Sequence, residues 1–285
     1  HKHRKTVHRG LLYARFGPAL SDRVWLDDQQ GSCDSNRRAT RAPDRGYVLV
    51  SFRDLAGLDL TVPWVLEPYL PAEGIVLLYG KKGVGKSPIT WSLTQSVASG
   101  EPWFGFAVQR PGAVLYVEVD TPPAGVRIRA PYIVTAPNAY LYAPTNPLVC
   151  QTPLEREARA IEPVLVILNT LRKIHPWDDK VSETPQRVYG VLRQLWPSAC
   201  LLCVHHEKKD PTDHPYAEGE EYSGSLAWHN DAQVALRLSI PRGHPLRDGQ
   251  ALELGMTGNQ MAAKAEPLRL ILGQDGYTLT TRAGR

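Results

Sequence analysis

The sequence has no apolar run long enough to cross a bilayer. Its longest, such as Gly74 to Tyr79 and Val164 to Leu168, are strand-length, against the roughly 18 residues a span requires. A transmembrane helix is therefore excluded, and no membrane partner is expected. Cysteine is sparse: Cys33, Cys150, Cys200 and Cys203 fall without framework spacing, the last two inside an apolar run. That pattern excludes a disulfide scaffold and fits reduced thiols in a cytoplasmic protein. Internal repeats and low-complexity tracts are absent, and composition fails for collagen and for a coiled coil. Charge of one sign is also scarce, with 33 Lys and Arg against 29 Asp and Glu, a net +4 over 285 residues. What is present, 42% hydrophobic and 22% charged residues, is enough for a buried core.

The small positive excess is unevenly placed. Residues 1–46 hold ten Lys and Arg (Lys2, Arg4, Lys5, Arg9, Arg15, Arg23, Arg37, Arg38, Arg41, Arg45) against five Asp, a net +5, and leave 23 against 24 for the remainder. Three readings fit this basic segment: a solvated terminus, a nucleic-acid contact, or, because the stretch before Asp22 lacks acids and carries Arg, an organelle transit peptide.

From about Gly46 the texture changes to short apolar runs separated by Gly, Pro and helical stretches. Strands are expected at Ile75 to Tyr79, Ala113 to Val119, Val164 to Leu168, Leu201 to Val204, Val234 to Leu238, Ala251 to Met256 and Leu268 to Leu272. Helices are expected at Lys86 to Ser99, Leu154 to Ile161 and Pro185 to Trp196. Several strands are apolar throughout, as a parallel sheet covered on both faces requires. The order implies an α/β fold with right-handed crossovers. The last three strands lie too close together for helical crossovers, so antiparallel strands are expected at the C-terminal end.

The strongest local signal is Gly80-Lys81-Lys82-Gly83-Val84-Gly85-Lys86-Ser87, a full match to G-x-x-x-x-G-K-[ST], entered from an apolar strand and left into a helix. Glycines let successive backbone N–H groups turn inward around phosphate oxygens, and the helix N-terminus adds partial positive charge. Lys86 is expected to reach the β and γ phosphates of ATP, and the Ser87 hydroxyl to ligate Mg²⁺. Pro88 falls in the first helical turn, where a missing N–H is tolerated.

Around this loop the sequence resembles the RecA-like ATPases, and among them the RepA-type hexameric replicative helicases of plasmids and phages. The resemblance is carried by Trp64 to Pro71 before the loop, and by Val97 to Gly105 and Gly112 to Val117 after it. It spans roughly Val48 to Thr280, so a basic segment over 1–46 and a RecA-like ATPase domain over 47–285 are expected. The resemblance implies a mostly parallel sheet flanked by helices, a homo-oligomer in the form of a hexameric ring, single-stranded DNA as partner, and a replication primase or polymerase as a further one.

It also implies roles for residues. The family's second strand ends in a glutamate that orients the attacking water; Asp120 holds the matching position, and Glu118, two residues upstream on an alternating strand, is the alternative. Asn169 stands where the family carries the aspartate that holds the hydration shell of Mg²⁺. The fourth strand ends in His205-His206, where a polar side chain senses the γ-phosphate; His206 is the first choice and His205 the second. Alternation sends these two histidines to opposite faces, which argues against a metal shared with Cys203. Pore loops follow the third and fourth strands. Arg172, Lys173 and Trp177 in the first, and Lys208, Lys209 and Tyr216 in the second, combine cations with stacking rings as single-strand binders do. Acidic neighbours in both loops leave a solvated surface as the competing reading.

Two further departures stand beside Asn169. Tyr222 replaces an arginine before Ser223-Gly224-Ser225, and Thr257-Gly258-Asn259-Gln260 occupies the segment where the family places its arginine finger. Lys264, Arg242 and Arg237 are the substitutes available, and spacing selects none. Three functions therefore fit: a DNA helicase or translocase driven by ATP hydrolysis, an ATP-binding regulatory or loading subunit that hydrolyses weakly, and a filament-forming recombinase-type ATPase.

Overall fold

The computed structural model describes residues 51–55, 61–130, 133–143, 160–207, 224–241, 251–273 and 276–282. The chain divides into two units, His1–Asp59 and Leu60–Arg285. In the first, the described residues hold one helical turn, α1 (Phe52–Leu55). The basic segment 1–46 lies outside the described residues.

The second unit is built on strands β1 (Trp64–Leu66), β2 (Leu70–Pro71), β3 (Gly74–Gly80), β4 (Val114–Glu118), β5 (Ala139–Tyr142), β6 (Leu165–Asn169), β7 (Cys200–His206), β8 (Val234–Ser239), β9 (Ala251–Asn259), β10 (Leu268–Gly273) and β11 (Gly276–Arg282). Helices α2 (Lys86–Ser99), α3 (Pro123–Arg129), α4 (Glu183–Leu195) and α5 (Ala227–Asn230) accompany them. β1 and β2 form a small antiparallel pair, and the other nine strands form one sheet in the order β11-β10-β9-β8-β3-β7-β6-β4-β5. From β8 to β5 every pairing is parallel, and β8 to β11 are antiparallel. The expected mixed sheet is observed.

Strands β3, β4, β6 and the body of β7 are buried along their length because both sheet faces are covered. Along β3, Val76 and Leu78 join a core that includes Ile89, Trp91, Leu93 and Val97 of α2. Ile75, Leu77 and Tyr79 point the other way, into a core with Val188, Tyr189 and Leu192 of α4 and Trp228 of α5. α4 buries Val188, Tyr189, Leu192 and Leu195, a three-and-four spacing that makes one apolar stripe. α2 ends at Gly100, whose φ of 80° is left-handed and whose N–H bonds Ser96 O at 2.8 Å, a glycine C-cap.

Four strands and three helices go beyond the sequence expectation: β1, β2, β5, β11, α1, α3 and α5. The expected helix at Leu154 to Ile161 falls mostly outside the described residues. No helix among the described residues is long and apolar enough to cross a membrane. The topology carries the C-terminal ends of β3, β4, β6 and β7 to one edge of the sheet, the location at which open α/β sheets bind ligands.

Candidate active site

The phosphate loop leaves β3 at Gly80 and enters α2 at Lys86. Gly83 and Gly85 adopt φ of 81° and 100°, a conformation that disfavours side chains. A Cβ at Gly80 would run into the Leu238 carbonyl oxygen and press on Val84 at 3.2 Å. Lys81, Lys82 and Gly83 are exposed, while Val84 anchors the loop in the core. α2 has no acid in its first turn to oppose an anion at its positive end. Buried Lys86 folds back over the loop, donating from Nζ to Gly80 O at 2.7 Å and Lys81 O at 2.9 Å. Burial lowers its pKa to about 8, against the opposing fields of Glu207 and Asp120.

The two carboxylates at the end of β4 and just past it occupy different environments. Glu118 is the last residue of β4 and pairs in register with Asn169 of β6. Its Oε1 accepts the backbone N–H groups of Asp120 and Thr121, both at 2.8 Å, and its Oε2 accepts Asn169 Nδ2 at 2.7 Å. Burial raises the Glu118 pKa above the ordinary carboxylate range. The same Asn169 amide nitrogen lies 3.4 Å from Ser87 Oγ. Asp120 instead sits past the strand end, paired with Lys173 Nζ at 2.6 Å, which holds its pKa below the usual value. The strand alternation expected to aim both side chains alike is broken here, because the chain bends immediately after Glu118 and the carboxylate folds over that bend. Behind Ser87, Tyr116 Oη shares a hydrogen bond of 3.0 Å with Thr90 Oγ1, and burial raises its pKa.

The end of β7 lies alongside, His206 in register with Gly80. Burial, and next the Lys86 charge, lower the His206 pKa, so its ring is neutral at pH 7. His205 turns the other way, against Trp228, and burial drives its pKa down to about 4. Its Nδ1 accepts the His206 N–H at 2.8 Å. Among the described residues no group of three or more His, Cys, Asp or Glu side chains is arranged to hold a metal. Glu207, the next residue, donates its N–H to Gly80 O at 3.0 Å, and its carboxylate is paired with the Arg237 guanidinium.

The first candidate DNA loop begins in a 3₁₀ turn, Leu171–Lys173. Arg172 Nε pairs with Asp179 Oδ2 at 3.0 Å, and its Nη1 donates to Trp177 O at 3.2 Å. The Trp177 ring stacks near His175, with Arg187 over it at 5.2 Å. Asp179 O accepts the Ser225 N–H at 2.8 Å, so this loop meets the end of the second one. Lys208, Lys209 and Tyr216 lie outside the described residues. At the segment lacking the arginine finger, Thr257 Oγ1 is 3.1 Å from His229 Nε2, and Asn259 Oδ1 accepts the N–H groups of Met261 and Ala262. Asn259 thus secures the bend that follows β9, and Thr257 ties β9 to α5.

Two contacts had no signal in the sequence. Asn169 touches Glu118 only through the β4–β6 register, and Glu207 meets Arg237 across a separation of 30 residues.

A strand, glycine-rich loop and helix at the C-terminal edge of a mostly parallel sheet, with carboxylates at the neighbouring strand ends, define a RecA-like P-loop ATPase domain. The family profile described as AAA domain (AAA_25) matches residues 36–212, more than half of the chain, and the chain belongs to that family. Among solved structures, the chain is similar to an ATPase domain at a TM-score of 0.56 and 8% identity, over 81% of this chain and 96% of that one. It is also similar to a KaiC-like protein from the hyperthermophilic archaeon Pyrococcus horikoshii, at a TM-score of 0.53 and 11% identity, over 76% and 94%. At such identities the likeness is one of fold. No curated protein matches the chain.

Proposed function

We propose that this chain binds ATP with Mg²⁺ at Gly80 to Pro88 and hydrolyses it to move on single-stranded DNA as a homo-oligomeric ring, the activity of a replicative helicase or translocase. The observation that carries the reading is the Lys86 ammonium held on two loop carbonyls, beside the Asp120 and Glu118 strand ends and His206.

On binding, the Lys86 ammonium exchanges the Gly80 and Lys81 carbonyls for β- and γ-phosphate oxygens, a trade of neutral acceptors for charged ones. The Gly80 to Gly85 backbone encloses the phosphates. Asp120, anionic at neutral pH, accepts a hydrogen bond from the attacking water and aligns it in line with the leaving oxygen. His206 donates to the γ-phosphate from a ring whose neutral state leaves one N–H and one acceptor.

The donor set fits Mg²⁺: a Ser87 hydroxyl, the Asn169 amide oxygen on rotation of that side chain, and Glu118 beside them are hard oxygen ligands. When bound, the ion neutralises phosphate charge. Asn169 brings no charge of its own, and Glu118 supplies it from one hydrogen bond away. Arg172, Lys173 and Trp177 then present the first loop to DNA phosphates and bases, with Lys208, Lys209 and Tyr216 as candidates in the second.

One observation favours a second reading, an ATP-sensing subunit with weak turnover. Glu118 is fully engaged by Asn169 and two N–H groups, and Asp120 by Lys173. A DNA-stimulated ATPase assay with a strand-displacement assay separates the two. The motor reading expects turnover raised by single-stranded DNA and lost in Lys86→Ala; tight ATP binding with background turnover supports the sensor.

A further inference from the structure

We propose that Arg237 is a positioning residue for Lys86: by binding the Glu207 carboxylate it keeps that group from capturing the Lys86 ammonium and leaves the ammonium to a phosphate. This rests on the reading of Gly80 to Pro88 as an ATP site.

Three observations converge on Gly80. Its carbonyl oxygen accepts both Lys86 Nζ at 2.7 Å and the Glu207 N–H at 3.0 Å, so the ammonium and the Glu207 main chain share one acceptor. The Glu207 side chain is 1% exposed, so water does not solvate its charge. Arg237 arrives from β8, where it pairs in register with Tyr79, the residue before Gly80, and its guanidinium meets Glu207 Oε1.

A buried carboxylate must be paired or protonated, and an uncompensated one takes the nearest cation. Two cations surround Glu207: Arg237 and Lys86. Arg237 is the better partner, because its planar fork suits a carboxylate and its charge is permanent. With Arg237 in place, Lys86 rests on neutral carbonyls, which release it readily to phosphate. Without it, an ion pair between Lys86 and Glu207 must break before each binding event, and nucleotide affinity falls.

The test is titration of the full chain with a fluorescent ATP analogue in Mg²⁺ buffer, with thermal melts to confirm folding. Arg237→Gln is expected to weaken binding by about tenfold or more, and Arg237→Lys by less than about threefold, since the charge is kept. Adding Glu207→Gln to Arg237→Gln is expected to restore affinity to within about threefold of the parent, although both ion-pair partners are then gone. A purely structural pair gives the opposite result, a double variant as weak as the single one, and that outcome overturns the proposal. Should Arg237→Gln not fold, the double variant beside Glu207→Gln alone decides: both within about threefold of the parent support the proposal, and a tenfold loss in the double variant but not in Glu207→Gln, which would make Arg237 act without Glu207, overturns it. Lys86→Ala separates the two levels, because unchanged ATP binding there refutes the ATP site itself.

Discussion

Replacing Asn169 by Asp probes the pairing that most distinguishes this site. Asn169 Nδ2 lies 2.7 Å from Glu118 Oε2, and Asp places an oxygen there instead. Two unit charges at that distance repel by about 6 kcal/mol at an effective dielectric constant near 20. Side-chain withdrawal or a shared proton relieves part of this, leaving about 3–5 kcal/mol, the range for an uncompensated buried charge. For a domain of this size that is a melting temperature lower by about 10 °C in EDTA. Mg²⁺ should reverse the loss, since the pair then becomes a dicarboxylate ligand set with Ser87. The assay is thermal denaturation of both proteins in EDTA and across millimolar Mg²⁺, followed by Mg²⁺-dependent ATPase rates. The expected result is a low melting temperature in EDTA that rises with Mg²⁺ in Asn169→Asp alone, with turnover raised. Identical melting curves with and without the ion would refute the shared site.

Other consequences follow from neighbouring groups. Asp120→Asn should lower turnover by about 100-fold or more with ATP binding retained, measured by steady-state rates beside a binding titration. Gly80→Ala forces a methyl group against the Leu238 carbonyl and Val84, and should destabilise the fold by about 1–3 kcal/mol in a denaturant titration. His205 has a folded pKa of about 4 and an ordinary value of 6.5, so between those pH values the unfolded chain binds more protons and stability falls as pH falls. The loss approaches about 3 kcal/mol by pH 4 and should be absent from His205→Asn, as read from melts at pH 7 and pH 4.

The fold was legible where burial is two-sided. β3, β4, β6 and β7 are covered on both faces and so carry continuous apolar runs, which composition alone reveals. β5 went unseen because it is the sheet's edge: Tyr140 and Leu141 are exposed, and its burial follows no alternation. β1 and β2 are too short for any period to register. The phosphate loop was legible because its chemistry demands fixed residues at fixed spacing within ten positions. The partners of that loop were not, since Glu118 with Asn169 and Glu207 with Arg237 are joined by strand order, which no local pattern encodes. The geometry also altered a sequence expectation: Glu118 and Asp120, two residues apart, differ in burial, in partner and in the direction of their pKa shifts because the strand ends between them.

The central claim is a working ATPase whose turnover answers to DNA. The most direct measurement is the ATP hydrolysis rate of the full chain with and without single-stranded DNA, beside Lys86→Ala as control. The account predicts a rate raised severalfold by DNA in the parent chain and background rates in the variant under both conditions. Equal rates in the parent chain with and without DNA, or hydrolysis surviving in Lys86→Ala, would contradict it.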